Sequence, residues 1–204
     1  MDSIRIFGYK SFKKLSVQLH PINLLIGANG AGKSNFLSLF EMLGNIYEKR
    51  LGAYVAQVGG VDKLLYQGRK VTDRIAVNLL IAKSEYDLAL LESDGKLIVE
   101  REVVGCYDDV CPLDLVRKNV ITEFQSESSL KDHKEEDLSN YISQIRKFHF
   151  HDTGRRSPFT ADSHIVNDAY RMYEHGENLA AILYRIQREK PMAYRRIIRV
   201  IQSV

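Results

Sequence analysis

The sequence predicts an α/β fold, and three observations carry that expectation. Alternating apolar and polar residues run through positions 4–19 and return at 75–104, as half-buried strands require. Between them the compact run Ile22-Asn23-Leu24-Leu25-Ile26 leads directly into a glycine-rich turn. Beyond the turn, Phe36, Leu37, Phe40, Leu43 and Tyr47 recur at three- and four-residue spacing, the period of an amphipathic helix.

Each element follows in order. Ile4, Ile6 and Tyr9 mark a first strand, and Leu15, Val17 and Leu19 alternate as a second. After Pro21, residues 22–26 read as a strand buried on both faces. Residues 50–73 are punctuated by glycine and hold a short helix at about 61–66. Strand-like runs at 75–82, 86–92 and 96–104 follow, the last two joined by Ser93-Asp94-Gly95. Asp-Gly between alternating runs signals a hairpin, so the three read as an antiparallel meander. Residues 125–140 are polar and charged and read as a mobile surface region. Phe148 and Phe150 alternate with His149 and His151 in a short strand pattern. Residues 177–203 are helical in pattern, with two helices broken at Pro191.

Composition bounds the class. Of 204 residues, 45% are hydrophobic and 27% charged, which excludes disordered, collagen-like and coiled-coil chains. The net charge of +3, from 29 Lys+Arg against 26 Asp+Glu, predicts no nucleic-acid binding by itself. Two cysteines, Cys106 and Cys111, do not make a disulfide framework and point to a reducing compartment. No apolar run approaches the roughly 18 residues that span a membrane. The opening MDSIRIFGYKSFKK lacks the apolar stretch of a secretory signal. The expected location is the cytoplasm.

One motif carries chemistry. Gly27-Ala28-Asn29-Gly30-Ala31-Gly32-Lys33-Ser34 fulfils G-x-x-x-x-G-K-[ST], the phosphate-binding P-loop pattern. Its glycines let successive backbone N–H groups face phosphate oxygens. Lys33 is placed to reach the β- and γ-phosphates, Ser34 to ligate Mg²⁺, and the helix that follows aims its positive end at the same anion. The four fixed positions coincide by chance in roughly one chain in a hundred of this length. A preceding apolar run and a following amphipathic helix make a chance turn rarer still.

Beyond the bare motif, the run IRIFGYKSFKKLSVQLHPINLLIGANGAGKSNFLSLFEML (residues 4–43) resembles the N-terminal end of ABC-type ATPases of the RecF/SMC/OLD group. The segments KFHFHDT (147–153) and GENLAAILYRI (176–186) are similar to pieces of prokaryotic predicted ATPases of that group. The resemblance implies an N-terminal P-loop lobe of ABC/SMC type at 1–160, with a mixed sheet and an antiparallel β-subdomain at about 74–105, and a helical segment at 161–204 leading to a further lobe. It implies ATP and Mg²⁺ as ligands. Asn29, Gly30, Ala31, Gly32, Lys33, Ser34 and Asn35 would hold the triphosphate, with the 9–14 turn near the adenine and ribose or the phosphate edge. The family's Q-loop glutamine, which touches Mg²⁺ and the attacking water, corresponds to Gln125 in FQSES or to Gln57 in YVAQVGG. Two heads of a homodimer would close on ATP and switch DNA or a nuclease, in repair or in phage defence.

The departures matter as much. Hydrolysis in this group needs a Walker B strand, four apolar residues followed by Asp-Glu. Here the runs ending at Ala82 and Leu91 continue into Lys83-Ser84 and Glu92-Ser93. No LSGGQ-like signature is present either. The catalytic set is therefore incomplete, and a further lobe or a partner subunit is expected beyond Val204. Little hydrolysis is expected of this chain alone. A non-hydrolytic nucleotide-binding module acting through a partner chain is the rival reading. A small P-loop kinase or GTPase is a second, disfavoured by the lack of N-K-x-D and of a lid arginine cluster beyond Arg155-Arg156.

Other groupings carry less. His149, His151 and Asp152 have the His-x-His spacing of one strand face, but a polar strand end is the stronger reading than a metal site. Cys106 and Cys111 lack CxxC spacing, and Arg155-Arg156 reads as an exposed basic loop. The stretch 184–199 carries Arg185, Arg188, Lys190, Arg195, Arg196 and Arg199. It reads as a solvated or interface-forming helix face, or as a surface following DNA phosphates.

Overall fold

A computed structural model describes residues 1–107, 115–133, 136–148 and 169–203. The chain divides into two units, Met1–Ile145 and Arg146–Val204; the expected boundary at 160–161 lies outside the described residues.

The first unit is a six-stranded sheet with helices on one face. Its strands are β1 (Ser3–Tyr9), β2 (Phe12–Gln18), β3 (Arg74–Ile81), β4 (Ser84–Ser93), β5 (Lys96–Tyr107) and β6 (Leu115–Gln125). They lie in the order β2-β1-β3-β4-β5-β6, and every pair is antiparallel. The expected mixed sheet is thus corrected: no parallel pair occurs among the described strands. The meander continues the sheet of the N-terminal hairpin. Ile4, Arg5 and Ile6 of β1 pair with Leu79, Asn78 and Val77 of β3, which joins the N-terminal hairpin and the meander into one ladder.

Alternation explains the sheet. Ile4 and Ile6 of β1, Ile75, Val77 and Leu79 of β3, and Tyr86, Leu88 and Leu90 of β4 all point inward and are buried. They meet the apolar face of α1 (Lys33–Tyr47), supplied by Phe36, Leu39, Met42, Leu43 and Ile46, and Leu51, Tyr54 and Val55 of α2 (Leu51–Gln57). Leu37, grouped with the apolar face by spacing, is instead half exposed. The short helix expected at 61–66 is a single 3-10 turn, Val61–Lys63.

The run 22–26 forms no strand. Ile22, Leu24 and Ile26 are 89%, 81% and 83% exposed, against the expectation of burial on both faces. Among the described residues no strand pairs with this run. The expected mobile region at 125–140 is also corrected. It carries a 3-10 turn (Leu130–Asp132) and α3 (Glu136–Ser143), with Ser128, Leu130 and Leu138 buried.

Glu102 of β5 accounts for that order. Wholly buried, its carboxylate accepts hydrogen bonds from the Tyr86 hydroxyl (2.5 Å), Thr122 Oγ1 (2.6 Å), Ser128 Oγ (2.6 Å) and the Ser129 N–H (3.0 Å). A buried carboxylate is tolerable only with such a donor set. The same segment serves α2, because Glu127 accepts the Leu51 N–H at 2.9 Å and satisfies a donor that no local side chain caps.

The second unit holds α4 (Leu179–Glu189) and α5 (Pro191–Gln202), parted at Lys190 as Pro191 predicts. Asn178 shapes the approach to α4 by accepting from the Tyr173 N–H (2.9 Å) and donating to the Arg171 carbonyl (2.7 Å).

Candidate nucleotide site

The glycine-rich turn ends where α1 begins. Gly30 and Gly32 have φ of +84° and +94°, which L side chains rarely adopt. Gly32 is the N-cap of α1, with no side-chain cap and no acidic residue in the first turn. The first N–H groups of the helix are therefore left for a ligand, and the helix dipole favours an anion there. The Lys33 ammonium folds over the turn, donating to the carbonyls of Gly27 (2.7 Å) and Ala28 (2.8 Å). Those are bonds an incoming phosphate can replace with charge-assisted ones. Ser34 is exposed one residue into the helix. Lys33 and Ser34 thus fit a magnesium-bound phosphate: a cation for the oxygens and a hydroxyl for the metal.

The β1–β2 turn is latched onto this loop. Ser11 Oγ accepts from Asn35 Nδ2 at 3.0 Å, and a β-carbon on Gly32 would lie 3.1 Å from Ser11 Oγ and 3.2 Å from the Phe12 ring. Tyr9 is fully buried, so it offers no stacking face; its hydroxyl bonds Ser38 Oγ at 2.9 Å. Lys10 Nζ donates to the same oxygen at 2.8 Å. Ser38 escaped the sequence reading. Its signal was a polar residue one helical turn beyond Ser34 on the face that also carries Met42.

Beside Ser11 and Asn35 lies a groove of about 920 Å³, with Lys10, Lys63, Gln67, Arg69 and Lys70 in its walls. Arg69 is held by Asp62, which accepts its backbone N–H at 2.8 Å and lies 3.1 Å from its guanidinium. That backbone N–H, above all, holds the Asp62 carboxyl below the usual range.

The glutamines lie elsewhere. Gln125 ends β6, exposed, opposite Val99. It stands four strands from β1, about 19 Å across the sheet at normal strand spacing, and is not brought to the glycine loop. Gln57 ends α2, also exposed. His149, His151, Asp152, Cys111 and Arg155-Arg156 lie outside the described residues; Cys106 is half-buried on β5. Among the described residues no cluster of His, Cys, Asp and Glu could hold a metal. No helix among them is long and apolar enough to cross a membrane.

A sheet backed by a helix whose uncapped N-terminus follows a G-x-x-x-x-G-K-S turn defines an α/β P-loop nucleotide-binding protein. The comparison with family models specifies the class: residues 1–178 match the AAA ATPase domain, and the chain belongs to that family. No curated protein matches it.

Proposed function

We propose that the chain binds Mg·ATP on residues 29–35 and acts as the nucleotide-binding lobe of an ABC/RecF-like ATPase. The observation that carries this reading is the uncapped α1 N-terminus with Lys33 lying across the turn. The N–H groups of the turn and the first helical turn wrap the phosphates, Lys33 neutralises their charge, and Asn35 keeps the Ser11 turn in place. Mg²⁺, when bound at Ser34, supplies charge neutralisation for phosphoryl transfer. The groove beside Lys10 and Ser11 takes the ribose and base.

Hydrolysis requires a carboxylate that polarises water, and no apolar run in these 204 residues ends in Asp-Glu. That carboxylate, with a strand to neighbour residues 22–26, comes from a further lobe or a partner subunit. Gln125 would serve as Q-loop residue only once such closure carries it to the metal. In complete form, ATP closes two heads in the cytoplasm and switches a DNA-linked or nuclease-linked assembly. The exposed 22–26 run equally supports a non-hydrolytic module that works through a partner chain.

Titration with a fluorescent ATP analogue tests the reading. Binding should require Mg²⁺ for full strength and fall at least about tenfold in Lys33→Ala, the loss of one charge-assisted contact. Turnover should be far below ordinary ATPase rates. Equal binding by Lys33→Ala would reject the site, and rapid turnover lost in Lys33→Ala would reject the incomplete catalytic set.

A further inference from the structure

Helices α4 and α5 concentrate charge that the nucleotide site does not use. Residues 179–203 carry Arg185, Arg188, Lys190, Arg195, Arg196 and Arg199 against one carboxylate, Glu189. Their surplus exceeds the +3 of the entire chain. Arg185 is ion-paired to Glu189 at 3.6 Å; no carboxylate among the described residues pairs with the other five. Arg195, Arg196 and Arg199 are exposed on α5, while Tyr194, Ile197 and Ile198 are half-buried in the hairpin. Arg195 and Arg199 stand one turn apart, about 6 Å along the axis.

Two exposed tyrosines accompany these cations. Tyr170 is 75% exposed, with the Arg185 guanidinium 4.5 Å from its ring centre. Tyr184 is 60% exposed, with Arg188 at 5.7 Å. Each guanidinium lies against its ring while most of that side chain stays open to solvent. Arginine clusters fit phosphates, and exposed aromatic faces fit unstacked bases, which a duplex does not present. Met192, Val200 and Ile201 of α5 are also exposed, at 63%, 64% and 63%, so an anionic bilayer is the occupant that the test must separate from a strand.

We propose that the α4–α5 hairpin binds single-stranded nucleic acid, its arginines neutralising phosphates and Tyr170 and Tyr184 stacking on bases. The proposal deepens the DNA-linked part of the reading above and rests on that part alone, since it needs neither ATP nor the glycine loop.

Fluorescence anisotropy on the full chain without nucleotide tests it, using a labelled thymidine oligomer and a duplex of equal length. The single strand should bind more tightly than the duplex, and its affinity should fall steeply between roughly 50 and 200 mM salt. The triple variant Arg195→Gln/Arg196→Gln/Arg199→Gln should lower the log–log salt slope by about 2. Tyr184→Ala should weaken binding about tenfold at fixed salt. Both variants should keep the wild-type melting temperature and ATP-analogue binding. Absence of binding at low salt, preference for duplex, or an unchanged slope in the folded triple variant would overturn the proposal. So would capture by phosphatidylserine vesicles without capture of the oligomer. ATP binding that persists when oligomer binding fails would sink this inference and spare the nucleotide site.

Discussion

Gly32 and Phe12 are packed so closely that a β-carbon on the glycine would stand 3.2 Å from the ring. The same glycine holds φ at +94°. The hairpin turn therefore shapes the phosphate loop from outside, and backbone freedom alone does not explain the residue. Gly32→Ala should cost about 1–2 kcal/mol from the left-handed backbone alone, a fall of roughly 2–8 °C in melting temperature. Displacement of Ser11 and Phe12 adds to it. Gly30 has φ of +84°, but a β-carbon there would meet nothing within 4 Å, so Gly30→Ala should melt higher than Gly32→Ala. Thermal unfolding of both variants, monitored by circular dichroism, checks the order; equal melting would contradict the packing argument.

Glu102 anchors the segment after β6, and its loss should be costly. Glu102→Ala leaves the hydroxyls of Tyr86, Thr122 and Ser128 without their buried acceptor. The expected destabilisation is about 3–5 kcal/mol, a large share of the stability of an ordinary domain. Ser128→Ala removes one donor to Glu102 and the acceptor of the Leu130 N–H (3.0 Å), and should cost about 1–3 kcal/mol. Because Glu127 caps Leu51, amide exchange at Leu51 should also quicken in Ser128→Ala. Denaturant unfolding and hydrogen exchange read the two effects separately.

These contacts show why part of the fold was illegible in the sequence. The strands β1 to β5 and the helices α1, α4 and α5 follow from local periodicity and from Pro191. β6 does not: LVRKNVITEFQ mixes charges with apolar residues at a sheet edge, and its register shifts twice against β5. α2 carries Gly52, and the carboxylate that satisfies its first N–H comes from Glu127, 75 residues or more away in sequence. Residues 125–140 look polar because their buried serine answers Glu102, a partner no window of sequence reveals. The glycine loop was legible because its chemistry is written in consecutive residues. Its support from Ser11, Phe12 and Ser38 was not, being assembled from separate elements.

Three buried phenols set an alkaline limit. Burial raises the pKa of Tyr9, Tyr54 and Tyr86 above the usual value of 10.0, and Glu102 beside Tyr86 adds to its shift. Below pH 10 all three are protonated in both folded and unfolded chains, so stability does not depend on them. Above it the unfolded chain releases protons that the folded chain retains, and stability falls as pH rises toward the folded values. The slope of stability against pH should therefore turn negative above pH 10. Tyr86→Phe, at the cost of a hydrogen bond, should flatten it by about 1.4 kcal/mol per unit. Denaturant melts above pH 10 check this, and an unchanged slope in the variant would refute the assignment.

The exposed run before the glycine loop should govern association. Ile22, Leu24 and Ile26 present side chains to water at more than four-fifths exposure, in a stretch with strand-forming composition and no ladder neighbour. Such a segment templates pairing with another chain, and contiguous apolar exposure drives association. The isolated protein should therefore associate increasingly with concentration in sedimentation velocity. Leu24→Lys with Ile26→Lys should suppress this while changing stability by no more than about 0.5 kcal/mol, because neither side chain is buried. The binding of ATP analogue should survive the substitutions, since Lys33 and the α1 N-terminus are untouched. A chain that stays monomeric at all concentrations would show that this run is not an association site, and a large loss of stability in the double variant would show that it is packed after all.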